Sequence, residues 1–168
     1  YSWRKVMPIL AQAGYYVVAP DQRGYGETLG WEADYDADVR AFGMLNLVRD
    51  VLGLVWALDI GRVAAVVGHD FGSPVAAYCA LLRPDVFCSV VMMSAPFAGP
   101  PSVFRNSSAL IHDQLATLDR PRKHYQWYYS TPEANADMLV CPQGVHDFLR
   151  AYFHYKSADW PENRPYPL

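Results

Sequence analysis

Short apolar runs alternate with helically spaced apolar residues along the first 95 residues. The runs predict strands over residues 15–19, 63–67 and 87–93. The spaced pattern, in which apolar residues recur every three or four positions, predicts helices near residues 3–10, 39–58 and 71–82. Continuous apolar strands that alternate with helices are typical of a parallel sheet covered on both faces. We therefore expect an α/β fold for this part of the chain.

The pattern changes after Ser94. Residues 95–101 hold three prolines and a glycine, and the periodic segments beyond them are all helical in spacing, over 108–118, 122–129, 132–139 and 142–156. A Pro-rich run over 160–168 indicates a loop or linker. We predict a partial α/β core over residues 1–95 and a helical cap, also incomplete, over 96–168. Such a cap would lie over the carboxyl ends of the strands, where open α/β sheets bind ligands.

Composition limits the classes of function. A chain of 168 residues that is 52% hydrophobic is globular, and a net charge of -3 without Lys/Arg runs argues against a nucleic-acid partner. The longest apolar run is too interrupted to span a membrane. Three cysteines without metal-ligand spacing indicate a reducing, cytoplasmic compartment and predict neither a metal nor another cofactor.

Because the chain opens on Tyr1 and stops at Leu168 after prolines, we expect it to be a fragment.

A turn-rich loop over residues 20–26 follows the first predicted strand. Its glycines, Gly24 and Gly26, allow the backbone to approach other groups closely. We expect Asp21 and Arg23 to form an ion pair that stabilises the loop.

The second predicted strand runs directly into a helix through Gly68-His69-Asp70-Phe71-Gly72. A chain that reverses direction so sharply holds its corner residue in a strained conformation, and the residues two positions away must be small. Gly68 and Gly72 meet that requirement. The pattern matches the nucleophile elbow of α/β-hydrolases, with Asp70 where esterases carry serine.

Asp70 fits two interpretations. An aspartate is ionised at neutral pH and needs no base to attack an sp³ carbon, as in an epoxide or an alkyl halide, which gives an ester that water can cleave. The helix N-terminus favours its charge, and the backbone N–H of Phe71 is an expected oxyanion donor. Asp70 could equally cap the helix, since aspartate is a favoured N-cap residue.

The chain resembles the epoxide hydrolase branch of the α/β-hydrolase fold family. The matching stretches, in family order, are Ser2-Trp3-Arg4, residues 14–26 and residues 66–72. The resemblance implies two-step covalent hydrolysis of a small apolar epoxide. It also implies a His-Gly-x-Pro turn before Tyr1, and an acid, a histidine and a second cap tyrosine after the regions that match. None of the histidines of this chain, His69 included, matches the family's base.

A second match lies in the predicted cap, where Tyr125-Gln126-Trp127-Tyr128-Tyr129 is similar to a segment of the family whose first tyrosine holds the epoxide oxygen. This carries over to Tyr125, because a phenol can give a proton to the alkoxide of an opened epoxide. Ordinary aromatic packing is the alternative for this run. Two other hypotheses stay open for the whole chain, a haloalkane or haloacid dehalogenase and a catalytically inert fragment.

Overall fold

The computed structural model of the chain describes residues 1–97, 99, 100 and 107–164. These residues form two compact units, Tyr1–Gly99 and Pro100–Leu168, each of which is described by itself. The predicted Pro-rich segments over 95–101 and 160–168 lie partly outside the described residues. No helix within the described ranges is long and apolar enough to cross a membrane.

The first unit contains a two-stranded parallel sheet. Its elements are α1 (Met7–Gln12), a 3₁₀ turn (Val39–Phe42), α2 (Met44–Ala57), β1 (Val66–His69), α3 (Gly72–Leu82) and β2 (Val90–Met93). Helix α2 precedes β1, and α3 connects β1 to β2. In the parallel register Val66 lies opposite Val90 and His69 opposite Met93, and an isolated parallel bridge joins Val63 to Phe87. The α/β class and the parallel pairing are therefore confirmed.

The strands β1 and β2 each begin three residues later than predicted, and α1 covers Met7–Gln12 rather than 3–10. Two further predicted elements are not formed as expected. Residues 15–19 are not a strand, because a strand requires a neighbour and no other described segment forms backbone hydrogen bonds with residues 16–19. The long helix predicted over 39–58 is divided at Gly43, whose ψ of 146° is extended rather than helical. Apolar periodicity cannot detect such a break, since the spacing continues through it.

The hydrophobic core of this unit lies where α2 and α3 pack together beside the strands. Its buried residues come from both helices and from the chain between α3 and β2: Val48, Leu52, Val55, Val75, Cys79, Val86 and Phe87. Burying a valine or leucine side chain contributes about 1.5–3 kcal/mol, so this cluster holds α3 in place.

Burial also raises the pKa of the Cys79 thiol to about 11, which keeps it protonated at neutral pH.

Arg23 forms an ion pair, but its partner is not the predicted Asp21. The guanidinium donates from Nε at 2.9 Å and from Nη2 at 2.6 Å to the two carboxylate oxygens of Asp50 on α2. A planar guanidinium fits both oxygens of one carboxylate, and Asp50 offers that geometry across the fold. The pair joins the 20–26 loop to α2.

The second unit is helical, as predicted. Its elements are α4 (Ser107–Ala116), α5 (Tyr125–Tyr129), α6 (Glu133–Leu139) and α7 (Gly144–Tyr155). Each lies within a predicted helix or within one residue of it. The role of these helices as a cap over the sheet stays a prediction.

We predict that Gly68→Ala lowers the free energy of unfolding by about 2–4 kcal/mol, measured by urea denaturation. A Cβ at this position would overlap the backbone C and O of Gly72 and lie 2.7 Å from Ser73 Cα. The matched control is Gly53→Ala within α2, where no atom lies within 4 Å of the added Cβ. That variant should be about 0.5–1 kcal/mol more stable than the parent chain. Equal effects at the two sites would contradict the close approach at Gly68.

Candidate active site

Asp70 occupies the corner between β1 and α3 with a left-handed backbone φ of 51°. Its backbone N–H donates to the Met93 carbonyl at 3.0 Å, and its carbonyl accepts from the Ser73 N–H at 3.0 Å. A non-glycine residue in this region costs on the order of 1–3 kcal/mol, which the bonds on both sides must offset. The elbow geometry predicted from the sequence is therefore present at this residue.

The steric requirement of the corner falls on one of its two glycines. Gly68 must lack a side chain because the backbone of Gly72 lies directly against it. A Cβ on Gly72, in contrast, would meet only Gln22 Nε2 at 3.7 Å, which is ordinary van der Waals contact. The expectation that both positions must be small is thus correct for Gly68 and wrong for Gly72.

The Asp70 carboxylate is exposed and bound to the next residue's backbone. The Phe71 N–H donates to Asp70 Oδ2 at 2.8 Å, while the Phe71 side chain is 61% exposed. Helix α3 takes Phe71 as its N-cap residue, and no side chain caps the helix there. Asp70 therefore does not act as an ordinary N-cap, for which a β-region backbone and a bond to the second or third helical N–H are typical.

Ser73 stabilises the β1–α3 corner through buried hydrogen bonds, a role that the sequence did not predict. It is fully buried, and its hydroxyl accepts from the Met93 N–H at 3.1 Å. Its single proton can go to the Gly68 carbonyl at 2.9 Å or the Met93 carbonyl at 2.8 Å. The first turn of α3 is thereby tied to the carboxyl ends of both strands. No sequence signal distinguishes this serine from an ordinary residue at a helix start.

His69 lies beside the corner but is engaged with the neighbouring strand end. Its Nε2 lies 3.0 Å from the hydroxyl oxygen of Ser94, which follows β2 and has a left-handed φ of 67°. This contact directs the imidazole across the strand ends towards β2.

In the second unit, α5 presents four aromatic side chains, each with contacts of its own. The Trp127 ring stacks on His112 with centroids 4.6 Å apart. Tyr128 donates to the Asp137 carboxylate at 2.5 Å, and this bond raises the pKa of Tyr128 to about 12. Burial and a hydrogen bond with Tyr152 raise the pKa of Tyr129. Both tyrosines hold their protons more tightly than a free phenol does.

Tyr125 differs from its neighbours. Its ring packs edge-on against Tyr129 with centroids 6.0 Å apart, and the side chain is 44% exposed. Within the described part of the chain, its hydroxyl has no hydrogen-bond partner. Asp70 and Phe71 are thus brought together in the first unit, whereas the placement of Tyr125 relative to Asp70 stays a prediction.

Comparison with known proteins gives consistent matches. The model of the α/β hydrolase fold family matches residues 1–165. An epoxide hydrolase of Caballeronia sordidicola is 42% identical over 148 residues, which is 86% of this chain and 41% of that protein. Epoxide hydrolase B of Mycobacterium tuberculosis is 46% identical over 99 residues, or 59% of this chain and 26% of the relative.

Solved structures agree with the sequence relatives. An epoxide hydrolase from an endophytic Streptomyces superposes with a TM-score of 0.69 at 35% identity, covering 91% of this chain and 42% of its own. A mutant of a potato epoxide hydrolase gives 0.73 at 33% identity, with 94% and 46% covered. The chain therefore spans less than half the length of these relatives.

We predict that Asp70→Gly is about 1 kcal/mol more stable than Asp70→Ala in urea denaturation. Both variants lose the carboxylate, but only glycine adopts the left-handed corner without steric cost. Asp147, in the first turn of α7, is the matched control because its backbone is helical. There the order should reverse, with Asp147→Ala more stable than Asp147→Gly by a similar amount. The same order at both sites would show that the corner is not strained.

Proposed function

Because this chain belongs to the α/β-hydrolase fold family, we propose that it carries the half of an epoxide hydrolase that opens the epoxide, with Asp70 as nucleophile. The observation that carries this proposal is the Asp70 carboxylate, exposed at a left-handed corner and bound through Oδ2 to the Phe71 N–H. The similarity to epoxide hydrolases supports the class of substrate, a small apolar epoxide.

The first step is nucleophilic displacement at an epoxide carbon. One oxygen of Asp70 forms a C–O bond to that carbon, and the ring C–O bond breaks with its electron pair going to the epoxide oxygen. The product is a hydroxyalkyl ester of Asp70 once that oxygen gains a proton. A carboxylate can do this without a base, because it carries its own negative charge.

The hydrogen bond from the Phe71 N–H makes the two carboxylate oxygens of Asp70 inequivalent. Oδ2 is bound to this donor, so Oδ1 is the freer oxygen and the one we assign to attack. Oδ2 then becomes the ester carbonyl oxygen. When water adds to the ester, negative charge develops on Oδ2, where a donor is already in place. Only the backbone of Phe71 is needed, and its exposed ring is not.

Tyr125 is the residue we assign to protonate the epoxide oxygen. The Tyr128 hydroxyl donates to Asp137, and burial and the neighbouring Tyr152 raise the pKa of Tyr129, whereas the Tyr125 hydroxyl has no hydrogen-bond partner among the described residues. A free phenol can turn towards a substrate at no cost in broken hydrogen bonds. This also favours an epoxide over a halide, since a departing halide needs no proton.

Hydrolysis of the ester needs more than these residues supply. A general base must activate water near the ester carbonyl, and we assign no residue of this chain to that role. The relatives are more than twice as long as this chain. A complete catalytic cycle is therefore not assigned to these residues. We therefore expect this chain to stop at the covalent stage.

We predict that styrene oxide forms one covalent adduct with the chain and that little or no diol is released. Intact-mass spectrometry should show the added mass of one epoxide, and peptide mapping should place it at Asp70. Asp70→Asn removes the charged nucleophile and should abolish the adduct. Asp59→Asn is the matched control, since Asp59 is a second aspartate with left-handed backbone, φ 55°, but lies at the end of α2. It should react like the parent chain.

Three results would contradict this account. Absence of any adduct in a sample shown to be folded by near-UV circular dichroism would favour an inert chain. Reaction with 1-bromobutane but not with the epoxide would favour a dehalogenase. Sustained diol formation would show that a base lies within these 168 residues.

A further inference from the structure

Lys156 lies among the tyrosines of the second unit, at the end of α7. Its Nζ is 5.0 Å from the centroid of the Tyr125 ring and 4.2 Å from that of Tyr152. It also donates to the Tyr152 hydroxyl oxygen at 2.6 Å. Among the described residues, no carboxylate forms an ion pair with Lys156. Its positive charge is therefore not neutralised by these residues, and the bond to Tyr152 fixes the ammonium group beside the Tyr125 ring.

We propose that Lys156 is a positioning residue for Tyr125, stabilising the negative charge that this phenol acquires as it protonates the epoxide oxygen. The inference rests on the proposed function of Tyr125. The ammonium group faces the Tyr125 ring, so the attraction between cation and ring grows as the phenol becomes anionic. Because the Tyr152 hydroxyl fixes the ammonium before reaction, little reorganisation is needed at the moment of proton transfer.

The other groups around Tyr125 do not supply this charge. Tyr129 packs on it from the same helix and is an uncharged phenol. His124 precedes the helix and makes a tilted ring contact with Tyr125, with the centroids 4.9 Å apart. Asp137, on α6, is bound to Tyr128. Among the described residues, Lys156 is the lysine whose ammonium group faces the Tyr125 ring.

Lys123 provides a matched contact that the proposal leaves without a role. Its Nζ lies 5.3 Å from the centroid of the Tyr128 ring, close to the distance between Lys156 and Tyr125. The Tyr128 proton, however, is committed to Asp137. Removal of this cation should therefore leave the reaction unchanged, although the loss of one positive charge facing a tyrosine ring is the same.

The test measures the rate at which styrene oxide alkylates the full chain, over a range of epoxide concentrations. This gives the maximal rate and, separately, the epoxide concentration at which half of that rate is reached. Lys156→Met keeps an apolar stem of similar length and removes the charge. We expect the maximal rate to fall about three- to tenfold, as loss of one unit charge at this distance predicts, with little change in the half-saturating concentration. Lys156→Arg should restore the rate, and Lys123→Met should match the parent chain.

The Tyr125→Phe variant separates this inference from the proposed function. If Tyr125→Phe is slow, Lys156→Met should slow it no further, because the lysine acts through the phenol. If Tyr125→Phe is slow but Lys156→Met reacts at the parent rate, the inference is wrong and the function of Tyr125 stands. If Tyr125→Phe reacts at the parent rate, or the parent chain forms no adduct, the proposed function fails and the inference fails with it. Failure of Lys156→Arg to restore the rate would indicate packing rather than charge.

Discussion

The close approach of the end of β1 to the start of α3 is the constraint on which the candidate site depends. Because the Gly72 backbone lies against Gly68, the turn between them must be sharp, and Asp70 takes a left-handed conformation. The buried Ser73 hydroxyl binds both strand ends and prevents the turn from relaxing. The same contact that strains the corner therefore exposes the Asp70 carboxylate and sets it against the Phe71 N–H.

Hydrogen bonds already made within the fold assign the roles in the proposed mechanism. There Oδ2 of Asp70 is held by the Phe71 N–H and Oδ1 is the attacking oxygen, while the Tyr128 hydroxyl is bound to Asp137. A group whose hydrogen bonds are satisfied must break them before it can react, which costs free energy. Within a run of aromatics that all could pack or react, the absence of a hydrogen-bond partner for the Tyr125 hydroxyl among the described residues, rather than its residue type, supports the proposed role of Tyr125.

Most of the fold could be predicted because local periodicity and tertiary packing agree. The parallel strands follow from continuous apolar runs, and the elbow helix and the four helices of the second unit from apolar spacings of three to four residues. The prediction for residues 15–19 was wrong because strand residues form a strand only beside a hydrogen-bonding neighbour. The break at Gly43 was missed because the apolar spacing continues across it.

The α/β class, the elbow with Asp70 at its corner and the resemblance to epoxide hydrolases could be read from the residues alone, because these depend on residue types at fixed local spacing. The folded chain was needed to show which glycine of the elbow is sterically required, and that Arg23 pairs with Asp50 instead of Asp21. It alone revealed the role of Ser73 and the position of Lys156 beside Tyr125. Those features depend on which atoms meet across the fold, and distance along the chain carries no record of such contacts.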